Sequence, residues 1–138
     1  MGQSILDAIK HLKEKVVVVD FDPDIVKKLK AQNINSFFGD ISDLDIQEHA
    51  NLTNAKLIIS TVPTLEENLL IIKMLKHAKK TKMIIAASDF NDAKKLYKAG
   101  ADYVVMPHLA GGRHIAKILE EDNLEKIGMF RDKDLEYL

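Results

Sequence analysis

Residues 16–43 read VVVVDFDPDIVKKLKAQNINSFFGDISD, and this stretch decides the fold class. Four valines run straight into Asp20 with no polar alternation. A continuous apolar run of this length suits a parallel strand covered by helices on both faces. Pro23 stands where a helix favours proline, in its first turn. Ile25, Val26 and Leu29 then fall on one face of that helix. Residues 35–38 (NSFF) form a second strand, ending on Gly39-Asp40.

The same alternation continues outward on both sides. Three further apolar runs read as strands: 57–61 (LIIST), 83–87 (MIIAA) and 103–105 (YVV). Upstream, residues 4–13 place Ile5, Ala8, Ile9 and Leu12 on one helical face. Downstream helices are expected over 43–49, 65–77, 91–97 and 109–119, with Asn91 as the cap of the helix 91–97 and Gly100 as its stop. Residues 120–138 form a charged, weakly periodic tail. Strand and helix alternate throughout, so the fold class is α/β, a doubly wound parallel sheet. Residues 1–119 are assigned to the domain and 120–138 to the tail.

Composition excludes several classes. The 138 residues fit one domain, and the chain carries no cysteine, so disulfides and thiolate metal sites are excluded. Twenty basic and 21 acidic residues give a net charge of −1. That overall balance is no footprint for nucleic acid or anionic lipid. No apolar run approaches the roughly 18 residues that span a bilayer, so no direct membrane insertion is expected. The N-terminus lacks the apolar core of a signal peptide. Leu6 stands where myristoylation after Gly2 would require serine or threonine.

In doubly wound sheets, ligands bind outside the carboxyl ends of the strands. The residues there are Asp20-Phe21-Asp22, Gly39-Asp40, Thr61-Val62-Pro63, Ser88-Asp89 and Met106-Pro107. A carboxylate at Asp20 can accept hydrogen bonds from both ribose hydroxyls of a dinucleotide. Asp40 is placed to meet an adenine edge. Gly2 precedes a helix as the last glycine of a G-x-G-x-x-G turn would, and Asp20 follows it at roughly the fingerprint's 20-residue spacing. The plainer alternative makes Asp20 and Asp22 strand-end and capping residues only. A receiver domain is another alternative, suggested by the paired acids. However, Ser60 and Thr61 stand where its phosphoacceptor aspartate should be, and Met106 replaces its lysine.

Taken together, 16–43, 57–76 (LIISTVPTLEENLLIIKMLK) and 98–119 (KAGADYVVMPHLAGGRHIAKIL) resemble the TrkA-N family, also called KTN or RCK. The last segment looks most like the domains appended to Kef-type cation:proton antiporters. The resemblance runs from about residue 2 to about residue 119. It implies a Rossmann-like, cytoplasmic regulator that binds NAD(H) or an adenine nucleotide such as AMP or ATP and gates ion transport. Matched position by position, Gly2 and Gln3 belong to the phosphate-binding helix start. Asp20 is the ribose acid, flanked by Phe21 and Asp22. Asp40 lies near the adenine, and Thr61, Val62 and Pro63 lie under the ribose and nicotinamide half. The helix 109–119, with Ile115, Ile118 and Leu119, corresponds to a crossing helix that pairs with a second subunit.

Two departures stand out. Ser88 occupies a place that often holds arginine. The first strand and the opening glycines of the family pattern are absent, and Met1-Gly2 fits the end of a G-x-G-x-M-G-Q-S sequence. Removing that strand from the Rossmann order 3-2-1-4-5-6 leaves an order that renumbers to 2-1-3-4-5. The sheet is expected to close the gap, with a second chain filling it as the alternative. Nucleotide binding is expected to be weak or absent in the chain as it stands and present in an intact parent.

The remaining motifs point to no chemistry. His11, His49, His77, His108 and His114 form neither an HxH nor an HExxH pattern, so no metal site is expected. Glu120-Glu121-Asp122 reads as a solvated helix end. Lys27-Lys28-Lys30 and Lys79-Lys80-Lys82 read as solubilising groups. No base is brought to Ser60, Thr61 or Ser88, so no enzyme is expected. A transporter subunit or domain and a homodimer mate are the expected partners, and nucleic acid is not one. The alternative in another class is a structural dimerisation module with a vestigial cleft.

Overall fold

A computed structural model describes residues 1–78, 80–120 and 124–136. The chain runs α1 (Gly2–Ile9), β1 (Val17–Asp20), α2 (Pro23–Ala31), β2 (Asn35–Phe38), α3 (Leu44–His49), β3 (Leu57–Ser60), α4 (Leu65–Met74), β4 (Lys82–Ala86), α5 (Phe90–Ala99), β5 (Tyr103–Val105), α6 (Pro107–Glu120) and α7 (Ile127–Leu135). All strand pairings are parallel. The molecule is thus an α/β fold of Rossmann character, as its sequence pattern indicates. Lys79, Glu121 and Asp122, named in two of the charged groups above, lie outside the described residues.

Local sequence explains each element's ends. Asp22 caps α2 by accepting from the backbone N–H groups of Asp24 and Ile25, and Pro23 opens the helix. Asn33 takes a left-handed φ of 59° just past that helix, and the N–H of Ile34 turns back to the carbonyl of Leu29. The cap of α5 is Asp89 rather than Asn91, because the Asp89 carboxylate is the group that reaches the N–H of Asp92. Gly100 ends α5 at φ 120°, where a side chain would be strained. The expected helix over 4–13 is α-helical only to Ile9 and continues as a 3-10 helix, kinked at Leu12, through Lys15.

The sheet does not close. β1 pairs with β2, and β3, β4 and β5 pair in that order, but among the described residues β1 and β3 share no ladder. The order within each part agrees with 2-1-3-4-5, whereas the expected junction between 1 and 3 is missing. A Cβ on Gly2 would lie 3.4 Å from Oγ1 of Thr61, just past the carboxyl end of β3. From there α1 and its 3-10 continuation lead to the amino end of β1, as a crossover helix does in a doubly wound sheet. In the Rossmann order 3-2-1-4-5-6 the counterparts of β1 and β3 are not neighbours, since one strand lies between them, and the two ladders keep that separation.

Burial follows the pairing. β4, hydrogen-bonded on both sides, carries fully buried Ile85. β1 and β3, each paired on one side, are only partly buried, with Val17 and Leu57 exposed, contrary to the expectation of strands covered on both faces. The main core gathers on β4: Ile71 and Ile72 come from α4, Leu75 from the position just past it, Ala93 and Leu96 from α5, and Val104 from β5. Beside β1 and β2, the buried side chains are Val26, Leu29 and Ile34.

Residues 1–106 form one compact unit and 107–138 another. Helix α6 therefore groups with the segment that follows it. That segment is not an extended tail: it holds a 3-10 turn, Leu124–Lys126, and α7. Within this unit His114 and Phe130 meet edge to face at 5.1 Å. No residue of α6 is buried, and Ile115 and Leu119 are exposed.

Candidate functional site

The strand ends supply the site. Asp20 closes β1 and lies in register with Phe38 of β2. Its Oδ1 accepts the N–H of Asp22 at 2.9 Å, so the carboxylate is held by the turn that follows it. No hydrogen bond reaches its other oxygen among the described residues, leaving an acceptor at the strand's carboxyl end. Asp22 is committed to capping α2, with Oδ1 2.9 Å from the N–H of Asp24. Phe21 between them is exposed. Asp22 thus has the capping place, and Asp20 the strand-end place, that the plainer alternative gives them.

Gly39 joins the ends of β1 and β2, its N–H donating to the carbonyl of Asp20 at 3.1 Å. A Cβ at this position would stand 2.5 Å from Cδ1 and 2.7 Å from Cγ1 of Ile46, so α3 packs where any side chain would go. Asp40 follows. Its carboxylate accepts the backbone N–H of Ser42 at 2.7 Å. That bond, followed by one from the Ser42 hydroxyl, holds the Asp40 carboxyl below the usual carboxylate range.

The loop after β3 is fixed from beneath by a residue that sequence reasoning missed. Asn68 of α4 is 1% exposed. Its Oδ1 accepts the Ser60 hydroxyl at 2.6 Å. Its Nδ2 donates to the carbonyls of Val62 at 2.8 Å and Ala86 at 3.0 Å. One amide therefore ties the end of β3, the end of β4 and the loop between β3 and α4. Ser88 adds a fourth tie, its hydroxyl donating to the carbonyl of Pro63 at 3.1 Å. Thus Ser88, read above as a departure, has a local role in positioning Pro63. The available signal was a lone polar residue among Leu65, Leu69, Ile71 and Ile72, on the face turned to the sheet.

Gly2 and Gln3 open α1. Met1 gives that helix no side-chain cap, so its first N–H groups stay available to an anion. Gly2 stands beside Thr61, which brings the helix start together with the Thr61-Val62-Pro63 loop. The backbone join through Gly39 likewise brings Asp20 together with Asp40. Gln3 turns its amide to Asp7 at 3.2 Å, leaving its backbone N–H for the anion role. Taken one by one, these groups are of the kinds a nucleotide uses, although β1 and β3 share no ladder that would join the two pairs. Asp20 can take ribose hydroxyls, the start of α1 can take phosphate, and the exposed rings of Phe21 and Phe38 offer apolar surface to a base. Among the described residues no cluster of three or more potential metal ligands occurs, and no helix is long and apolar enough to cross a membrane.

Comparison with known proteins finds relatives in sequence and in fold. The family model described as "TrkA-N domain" matches residues 1–107. The chain is 31% identical over 121 residues to "Potassium channel protein 1" of Methanocaldococcus jannaschii, covering 86% of this chain and 36% of that protein. It is 30% identical over 89 residues to the glutathione-regulated potassium-efflux system protein KefC of Escherichia coli, covering 64% of this chain and 14% of that protein. The chain therefore spans about a third or less of the length of these relatives. Among solved structures, the TrkA-N domain of inner membrane protein ybaL from Escherichia coli aligns with a TM-score of 0.78 and 21% identity, covering 86% and 89% of the two chains. A GsuK channel bound to NAD aligns at 0.64 and 19% identity, covering 77% of this chain and 19% of that one. An AMP-bound Kef C-terminal domain from Shewanella denitrificans aligns at 0.57 and 17% identity, covering 87% and 88%.

Proposed function

Because the chain belongs to the TrkA-N family, we propose that it is a nucleotide-sensing regulatory domain of a potassium or cation transport system, working at the cytoplasmic face of a membrane. One observation carries the reading. Asp20 ends β1 with one carboxylate oxygen held by the Asp22 N–H and the other left without a bond among the described residues. That oxygen can take the ribose hydroxyls of NAD(H), AMP or ATP. The uncapped start of α1 at Gly2 and Gln3, beside Thr61, would face the phosphates. Asp40 and Phe21 would border the adenine, and Val62 and Pro63 would form the floor under the rest of the ligand.

Sensing requires that the ligand bind two arrangements of the protein unequally. The two arrangements are those of a homodimer formed through α6, whose Ile115 and Leu119 are 61% and 62% exposed. Such residues suit burial against a second copy. The domain would bias an attached transporter by binding alone, without a chemical step. The same exposed side chains also favour a second reading, a dimerisation module whose cleft no longer binds.

Thermal unfolding with and without NAD, NADH, AMP and ATP tests the reading. It should be run on this chain and on a version extended at its N-terminus by an apolar strand and a glycine-rich turn. A ligand at 100 times its dissociation constant stabilises by about 2.7 kcal/mol. The extended form is expected to shift upward and to lose the shift in Asp20→Ala. No shift in either form would refute nucleotide sensing and leave the dimerisation module.

A further inference from the structure

The chain's near-zero charge conceals a strong asymmetry. Between residues 73 and 98 stand eight lysines against two aspartates, although the whole chain carries −1. The fold sets the described lysines among these on α4, on α5, in the turn after α4 and at the start of β4. α4 and α5 pack side by side, and a Cβ on Gly100, at the end of α5, would lie 3.8 Å from Cγ2 of Ile72 near the end of α4. Lys82 opens β4 at the same end of the sheet. The described lysines of this stretch are all exposed. Lys82 pairs with Asp102 at 2.6 Å, and Lys95 pairs with Asp92 at 3.4 Å. Lys73, Lys76, Lys80, Lys94 and Lys98 form no ion pair among the described residues.

We propose that this surface, at the carboxyl-terminal ends of α4 and α5, docks the domain peripherally on an anionic phospholipid bilayer. Helix termini alone do not account for it. Lys73 and Lys98, in the last turns of α4 and α5, already complement the two helix dipoles. Lys76, Lys80 and Lys94 are additional. The stretch contains no arginine; the chain's two arginines are Arg113 and Arg131. Protein interfaces enrich arginine and deplete lysine, whereas unspecific attraction to lipid charge needs only point charges near the surface. Tyr97 lies on the same stripe of α5 as Lys94 and Lys98, and it is half exposed with its hydroxyl anchored by the N–H of Val104 at 3.1 Å. An amphipathic ring beside lysines suits the headgroup layer. Docking on this side leaves the strands' carboxyl ends, with Asp20 and Thr61, turned to solution, so a nucleotide could still enter.

The test is flotation of the purified full chain with neutral phosphatidylcholine vesicles and with vesicles containing about a third phosphatidylserine. Retention is expected only on the anionic vesicles and is expected to vanish in high salt, because screening shortens the reach of the field. Each lysine removed should lower partition about fivefold. Lys94→Gln/Lys98→Gln and Lys76→Gln/Lys80→Gln should therefore each lose about 25-fold, while Lys126→Gln/Lys133→Gln, on the second unit, should lose less than about threefold. Circular dichroism and unchanged melting establish that the variants fold. Equal retention on neutral vesicles, equal loss in the α7 variant, or retention on heparin without retention on vesicles would each overturn the proposal.

Discussion

Replacing Asn68 by alanine is the most informative perturbation of the candidate site. The side chain is 1% exposed and makes three hydrogen bonds, to the Ser60 hydroxyl and the carbonyls of Val62 and Ala86. Each intramolecular bond contributes about 1 kcal/mol net, and a buried partner left without one costs about 1–3 kcal/mol. The Val62 carbonyl can be rehydrated once the loop loosens, but Ser60 is itself buried at 5%. The loss should therefore be about 3 kcal/mol, out of a total stability of about 7–20 kcal/mol for a chain of this size. With an unfolding entropy near 0.3 kcal/mol/K for this length, the melting temperature should fall by about 10 °C. Differential scanning fluorimetry or calorimetry reads this directly. Ser88→Ala, which removes the more exposed tie to Pro63, should cost no more than about 1 kcal/mol. A double-mutant cycle between Ser60→Ala and Asn68→Ala should be markedly less than additive, because both remove the same bond. A fall of under about 3 °C for Asn68→Ala, or strict additivity in the cycle, would refute the view that this amide organises the loop.

Three other outcomes follow from the same structure. The Asp102 carboxyl is held below the usual carboxylate range, chiefly by its bond from Lys82 and next by the N–H of Met83, so its contribution is present above about pH 4 and disappears as pH falls through the lowered value. Asp102→Asn should melt below the parent chain at neutral pH, and the gap should narrow in melts recorded at progressively lower pH below about 4. Gly39→Ala places a methyl 2.5 Å from Ile46 Cδ1 and should destabilise by about 1–3 kcal/mol in urea titration, with Gly39→Ala/Ile46→Ala recovering part of the loss. Asp89→Ala should cost about 1 kcal/mol as the loss of the α5 cap, whereas Asn91→Ala should change urea stability by less than about 0.5 kcal/mol.

The proposed mode of action joins two surfaces of the first unit that do not compete. The strand ends around Asp20 and Thr61 offer hydrogen-bond partners to a nucleotide. The lysines at the ends of α4 and α5 offer only charge, on the side where β4 begins. A nucleotide and a bilayer could therefore be engaged together. The net charge of −1 describes neither surface, because six aspartates stand between residues 20 and 45 whereas eight lysines stand between residues 73 and 98.

Much of the fold was legible because the signals are local. VVVVD specifies a strand by its unbroken β-branched run, and Asp22-Pro23 starts α2 by capping and a preset φ. Gly100 stops α5 because its φ of 120° suits no other residue well. Asp20, Asp40, Thr61 and Gly2 could be located from the end of each run alone. Even local reading slipped where two cap candidates lay two residues apart: which carboxylate or amide meets the free N–H depends on backbone angles, and Asp89 has them.

Tertiary structure decided the rest, for one physical reason: the partners are distant in sequence. The Asn68 amide bonds groups 6, 8 and 18 residues away, and no periodicity encodes which carbonyls converge on it. Whether β1 and β3 would meet was decided by the tertiary arrangement, which keeps the two ladders apart, although the alternation of strands and helices reads the same in either case. Lys73 on α4 and Lys94 and Lys98 on α5, which no sequence pattern groups, come near one another because α4 and α5 lie against each other. Sequence by itself determined the strands and helices up to α6, their parallel class and most of the residues at their ends, but not α7 or the α5 cap. The packing of helices against a split sheet determined which of those residues stand together.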